Sequence, residues 1–191
     1  MEVAALLADP VTHGVVIGAL ALIVLDAARH KWSAPAAFLM ALAGYRVVPA
    51  TLLSPVARGV PLLEFALGAG MLIPTTSNPA LIGLSALMLT YGAAITWNLI
   101  RGRSDIDCGC GGTRQPLSWS LVIRNAVLAA AALAASGATI DRPLAWLDAI
   151  TLVGGVLACY AYYRATDELL RHPRRLLQLE QADRADRIPG S

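Results

Sequence analysis

Charge is scarce in this chain. Asp, Glu, Lys and Arg make up 15% of its 191 residues, against roughly a quarter in typical globular proteins. The net charge of +2 is too small to argue for a nucleic-acid partner, and no glycine-rich motif that could cradle a phosphate is visible. Cysteine is rarer still, with three in the whole chain, and there are three histidines. Also missing is a basic segment ahead of the first apolar run, with a small-residue cleavage site behind it. That run is therefore expected to be a retained span and not a signal peptide. What is abundant is apolar surface: 57% of residues are hydrophobic and the mean hydropathy is +0.60. A hydrocarbon core of ~30 Å needs about 20 apolar residues as helix, and the chain supplies roughly four to six such segments. The expected fold class is an all-α membrane protein whose one constant partner is the lipid bilayer.

Five spans are read from the apolar runs and their polar stops. The first covers Pro10 to Ala28 and stops at Arg29-His30-Lys31. A shorter one covers Gly59 to Pro74 and tolerates Glu64 near its start; another runs from Ala80 to Ile100 and is stopped by Arg101-Gly102-Arg103. The alanine-rich run from Ser118 to Ser136 is the fourth, and Leu144 to Tyr163 the last. Tyr160, Tyr162 and Tyr163 stand where an interfacial aromatic belt is expected. Residues 34 to 53 carry Tyr45 and Arg46 in the middle and Pro49 soon after. An Arg at bilayer depth costs several kcal/mol, about 2.5–3.5 on the lower scales. The segment is read as a broken or interfacial helix that tucks Arg46 against the bundle, with a sixth conventional span as the alternative. Residues 1–164 form the membrane domain. Residues 165–191, with Arg171-His172-Pro173-Arg174-Arg175 near their start, read as a charged, solvent-exposed tail, whose plain role is a basic juxtamembrane anchor.

The only well-developed polar loop holds Cys108-Gly109-Cys110, with apolar runs on both sides. A metal site wants about four N or S ligands, and no histidine lies near this loop. Two inert thiols are the bland alternative, but exposed free cysteines are reactive and structural ones are usually buried. A reversible disulfide fits best, because the adjacent glycines let the backbone reach the tight geometry of a two-apart bridge. A strained bridge is labile and suited to exchange. Cys108 and Cys110 are therefore the candidate redox residues. Cys159, between Ala158 and Tyr160 in an apolar helix, is read as a small packing hydrophobe. Charges near the loop oppose one another: Asp105 and Asp107 disfavour a thiolate, while Arg101, Arg103 and Arg114 favour it.

Counting spans puts Glu64, Asn98, Arg101, Arg103, Asp105, Asp107, Cys108, Cys110, Trp119, Arg124 and Asn125 on one side of the membrane. A Glu64–Arg124 ion pair would resolve two intramembrane charges at once, either as a lock between helices or as the wall of a polar pocket beneath the thiols. Trp97 and Trp119 flank the loop as interfacial anchors, or as the walls of a quinone pocket that Arg124 would complete. The sequence establishes no cofactor; a quinone is the candidate it offers.

Ordered along the chain are Phe38 with Tyr45-Arg46 and Pro49, then Pro61-Leu62-Leu63-Glu64 with Gly68. Asn98, Arg101, Arg103, Asp105 and Asp107 lead into Cys108-Gly109-Cys110, and Ser118-Trp119 with Arg124-Asn125 follows. Together these resemble the MauE family of methylamine-utilisation membrane proteins, related to the DoxX-like four-helix group, over about residues 11–137. The resemblance implies a four-helix bundle with one extra C-terminal span, in the cell inner membrane. It implies a thiol–disulfide oxidoreductase-like component needed to mature the small (beta) subunit of methylamine dehydrogenase, an exported, disulfide-rich client. A thioredoxin-like, MauD-type protein is the implied exchange partner, and Cys108 and Cys110 are the residues that carry over. A non-enzymatic assembly or export scaffold and a quinone-linked electron-transfer protein are the alternatives. Nearly all of the 15 Lys and Arg residues fall on the cysteine side or in the tail, with Arg142 the main exception. The positive-inside rule would put that side in the cytoplasm, whereas disulfide formation wants an oxidising compartment. Either the family role overrides the charge count, or one of the last two segments does not fully cross; the reading adopted favours periplasmic cysteines.

Overall fold

The computed structural model describes residues 9–104, 106, 108, 115–137, 142, 143 and 145–171, with only the backbone of Arg171. Six α-helices make up the described chain: α1 (Pro10–Ser33), α2 (Pro35–Tyr45), α3 (Leu53–Met71), α4 (Pro74–Ile100), α5 (Trp119–Ala135) and α6 (Trp146–Arg171). A 3-10 turn at Ala50–Leu52 precedes α3. Four helical stretches are long and apolar enough to cross a membrane: Pro10–Ser33, Ala50–Met71, Pro74–Ile100 and Trp146–Leu170. The protein is an all-α, multi-pass membrane protein.

Local chemistry sets the helix ends. Asp9 caps α1 by accepting from the backbone N–H of Val11 at 2.9 Å and of Thr12 at 3.3 Å, and Pro10 follows at the first helical position, where its missing N–H costs nothing. α1 runs on through the basic cluster to Ser33 and yields to α2 at Pro35. With 11 residues, α2 is about 16 Å long, far short of a ~30 Å core. Arg46 ends it in the left-handed region at φ 52°. The broken-helix reading of residues 34–53 is thus what forms. Arg46 itself is exposed and not tucked against the bundle, because the left-handed cap turns the chain away before a buried partner is reached. α3 starts earlier than Gly59, since Pro55 falls in its first turn and is tolerated there.

The main core joins Leu20, Ala21 and Val24 of α1, Met71 of α3, Leu81, Leu84 and Met88 of α4, and Ala129, Ala132 and Ala135 of α5. α6 lies outside this core and packs on α1 through small residues. A Cβ at Gly18 would meet Val156 Cγ2 at 2.6 Å, and one at Gly155 would meet Val15 Cγ2 at 2.7 Å. Small residues at such crossings let helix backbones come close in lipid.

Ion pairs fasten both ends of α6 to the start and finish of α1. At one end Arg142 donates to Asp9 at 2.9 Å and grips both oxygens of Asp148 at 2.8 and 3.1 Å. At the other, Arg164 donates to Asp26 at 2.9 Å. His13 Nε2 lies 2.8 Å from the carbonyl of Ala135, so α5 also reaches the end where α1 begins. Both of the last two helices therefore run from one end of the bundle to the other. α6 also continues beyond residue 164 and buries Asp167, so the stretch just after 164 is part of the bundle. Residues 172–191, the rest of the expected tail, lie outside the described residues.

Candidate functional site

Where α4 ends, Gly102 turns the chain at φ 70° and Arg103 folds back. Its guanidinium donates to Asn98 Oδ1 at 3.1 Å and to the carbonyl of Gly44 at 3.0 Å, tying the loop's first limb to α4 and α2. The two limbs then bond each other. Leu117 N–H reaches the carbonyls of Ser104 and Ile106 at 3.0 and 3.2 Å, and Cys108 N–H donates to the carbonyl of Gln115 at 2.9 Å. Between them Cys108 is drawn inward. It is 6% exposed and packs with Tyr45, Ile95, Leu117 and Leu121, and the Tyr45 hydroxyl donates to its carbonyl at 3.2 Å. Cys108 is disulfide-bonded. Cys110 lies outside the described residues, as do Asp105, Asp107, Arg114 and the glycines of the loop.

Below this loop is a charged centre inside the bundle. Lys31, the one lysine of the sequence, donates to both oxygens of Glu64 at 2.7 and 3.0 Å. The two side chains are 4% and 1% exposed. Tyr91 donates a further hydrogen bond to Glu64 at 2.9 Å. The Lys31 ammonium also sits 5.6 Å from the ring centres of Phe38 and Tyr91, within cation–π range. A fully paired and hydrogen-bonded arrangement is what makes two buried charges tolerable in a membrane span.

The expected Glu64–Arg124 pair does not form. Arg124 instead pairs with Asp167 of α6, the side chains being 12% and 5% exposed, while Glu64 is saturated by Lys31 and Tyr91. Each charge found a nearer opposite that the span boundaries had hidden. The apolar runs place Lys31 in the polar stop after the first span and Asp167 in the tail. Glu64 and Arg124 do meet as walls of one cavity of about 40 Å³, with Lys31, Tyr91, Asn125 and Tyr163. A second cavity of about 80 Å³ runs from Lys31 and Tyr91 past Phe38 and Tyr45 to Cys108. Arg124 closes the geometry, since its Nη2 lies 4.0 Å from Cys108 Sγ.

The sequence does not single out Lys31, Tyr91 or Asp167 as site residues, and marks Tyr45 only as part of the family motif, yet a signal for Lys31 exists. The buried positions Ala21, Val24, Ala28 and Lys31 follow the helical spacing of 3, 4 and 3, so the lysine continues the inward face of α1. Tyr163 likewise turns inward and lines the first cavity, and Tyr160 lies beside the Asp26 carboxylate; of the three expected belt tyrosines, Tyr162 is the one at 76% exposure. Trp97 and Trp119 are more than half exposed and line neither cavity. Trp97 carries the Arg101 guanidinium 4.1 Å from its ring centre. Cys159 is a free thiol exposed on the outer side of α6, not a packing residue, because α6 turns only its other face to α1. No group of three or more His, Cys, Asp or Glu that could hold a metal occurs among the described residues.

Fold and site together define a multi-pass membrane protein with a buried charged centre and a disulfide-bonded cysteine at one end of its bundle. Residues 9–138 match the family described as methylamine utilisation protein MauE. The chain belongs to that family. It is 37% identical over 151 residues to methylamine utilization protein MauE of Paracoccus denitrificans, covering 77% of this chain and 81% of the relative. The protein of the same name from Methylorubrum extorquens is 39% identical over 153 residues, or 79% of this chain and 77% of that one. The one from Methylophilus methylotrophus is 31% identical over 166 residues, 84% and 86% of the two chains. No solved structure matches.

Proposed function

We propose that this protein is a methylamine-utilisation accessory component that exchanges disulfides with exported proteins, through a reversible bridge between Cys108 and Cys110. Its client is the disulfide-rich small subunit of methylamine dehydrogenase, and its soluble partner is a thioredoxin-like, MauD-type protein. The observation that carries the reading is the disulfide-bonded state of Cys108 at the end of a membrane bundle, with an arginine 4.0 Å from its sulfur. A purely structural staple has no use for a cation held against one of its sulfurs. The names of the relatives supply the pathway, and the span arithmetic supplies the membrane.

The cysteine end faces the periplasm in this proposal, since cytosolic thiols are kept reduced. Basic residues crowd the same end, but several serve the fold: Lys31 and Arg124 are buried in ion pairs, and Arg103 bonds Asn98 and Gly44. These are held inside the bundle and do not belong to a free loop charge of the kind the positive-inside rule counts.

The test is client maturation. Cys108→Ser and Cys110→Ser should each abolish the yield of correctly bridged subunit, while Cys159→Ser should leave it unchanged. Normal maturation in both of the first two variants would sink the proposal and leave the assembly-scaffold reading in its place.

A further inference from the structure

We infer that the two sulfurs of the bridge have fixed and different roles: Cys108 is the leaving sulfur, and Arg124, held by Asp167, receives the charge that forms on it. This rests on the exchange function proposed above and assigns residues within it.

Three observations converge. Cys108 is 6% exposed, with its backbone N–H bonded to Gln115 and its carbonyl to Tyr45, so little of the residue is open to an incoming protein thiolate. Arg124 Nη2 stands 4.0 Å from that sulfur. A neutral disulfide draws little from a guanidinium, whereas a thiolate in the same place would be strongly stabilised, because the site is shielded from water. Finally, Arg124 is itself fixed from the far side, where Asp167 of α6 binds Nη1. Asp167 acts through Arg124 and is a positioning residue.

The step balances as a simple displacement. A client thiolate attacks the sulfur bonded to Cys108, a new intermolecular S–S bond forms, and the Cys108–Cys110 bond breaks. Its electron pair stays on Cys108 Sγ as a thiolate beside Arg124. The second client thiolate then attacks the client sulfur of the mixed disulfide and expels Cys110. The client dithiol is oxidised by two electrons and the bridge is reduced by two. Of the two protons given up as the client thiolates form, one is taken up by Cys110 and the other goes to solvent, while Cys108 stays a thiolate beside Arg124. Because a cation at Cys108 stabilises the reduced form, it makes the bridge a stronger oxidant.

Two measurements test the assignment, both on the full-length protein in detergent in a Cys159→Ser background. In the first, the bridge is equilibrated at fixed pH with glutathione buffers of stepped ratio, quenched with acid, and scored by maleimide mass shift. Arg124→Gln should move the equilibrium at least tenfold toward the disulfide, which is about 30 mV, and Arg124→Lys should recover part of it. The double variant Arg124→Gln with Asp167→Asn removes both buried charges, and it should show the same shift if the single variant fails to fold. In the second, a mixed disulfide is trapped with the small-subunit client: Cys108→Ser should hold the adduct on Cys110, and Cys110→Ser should hold none. An unchanged equilibrium in the arginine variants, or an adduct trapped through Cys108, overturns this inference while leaving exchange itself standing. A wild-type bridge that no glutathione ratio reduces, with no adduct in either variant, overturns the exchange function as well.

Discussion

Single residues set the energetic stakes here, because the charges at the centre of the bundle, Lys31, Glu64, Arg124 and Asp167, are largely shielded from water. Lys31 and Glu64 form a pair that is stable only as a pair. Removing one partner of a buried ion pair typically costs about 3–5 kcal/mol, since the other is left uncompensated. Replacing both by apolar or neutral groups of similar shape is often close to neutral. Lys31→Met and Glu64→Gln should therefore each lower the accumulation and thermal stability of the protein, and the double variant should recover most of the loss. Additive losses, measured by unfolding in detergent, would mean that the two charges act independently. Tyr91→Phe is the gentler probe. It deletes one hydrogen bond to a carboxylate, worth about 1.5–3 kcal/mol, and should cost less than either charge deletion.

Helices are held together by devices of two kinds, and each predicts a different response. α6 has no share of the main core and depends on close approach to α1 at Gly18 and Gly155. A leucine at Gly18 would drive its Cβ into Val156, and overpacking of this sort costs about 1–3 kcal/mol. Gly18→Leu should push α6 outward and loosen the Arg124–Asp167 contact, detectable as weaker crosslinking between cysteines engineered on α1 and α6. The second device is the Arg142 clamp at the far end. The hydrogen bond from Arg142 is the main cause that holds the Asp9 carboxyl below its ordinary value of 3.8, and the two carboxylates hold Arg142 protonated well above its own. A depressed carboxylate contributes stability that is present above the unfolded value and lost as pH falls through the folded one. Crosslinking between the starts of α1 and α6 should thus be flat from pH 8 to about 5 and fall only below about pH 4. Loss already at pH 6 would rule out this carboxylate as the cause. The same elements show what the sequence made legible. Span centres follow from uninterrupted apolar runs, and the break at residues 34–53 from Arg46 and Pro49. Partner choice among charges was not legible, because it turns on where helices end: α1 outlasts its apolar run by a turn to bury Lys31, and α6 outlasts its own to bury Asp167. Cys108 was legible as chemistry, while Tyr45 and Arg124 as its neighbours needed the packing of α2 and α5 against the loop.

At the scale of the whole molecule, the question is which way the bundle sits in the membrane. α1, α3, α4, α5 and α6 run alternately between the two ends, as the His13–Ala135 and Arg142–Asp9 contacts at one end and the Arg164–Asp26 and Arg124–Cys108 contacts at the other require. If all five cross the bilayer, residue 9 and residue 171 lie on opposite faces, with the cysteine loop on the face of residue 171. α5 is the demanding case: its 17 residues make about 25 Å, a little under the ~30 Å core. A short span is accommodated by local thinning of the bilayer at modest cost, and its neighbours α4 and α1 cover much of it. The prediction is made with alkaline phosphatase and fluorescent-protein fusions placed ahead of residue 9 and after residues 104, 137 and 171. Fusions after 104 and 171 should report one compartment, and those ahead of 9 and after 137 the other. Agreement between the ends of α6 would show that it does not cross, and agreement between 104 and 137 would show the same of α5. If the pattern holds, the compartment reported after 104 decides the remaining step. Phosphatase activity there puts Cys108 in the periplasm, where an oxidised bridge persists. Fluorescence there would leave the five-pass bundle intact and remove the periplasmic orientation, so the bridge would have to work against a reducing cytosol.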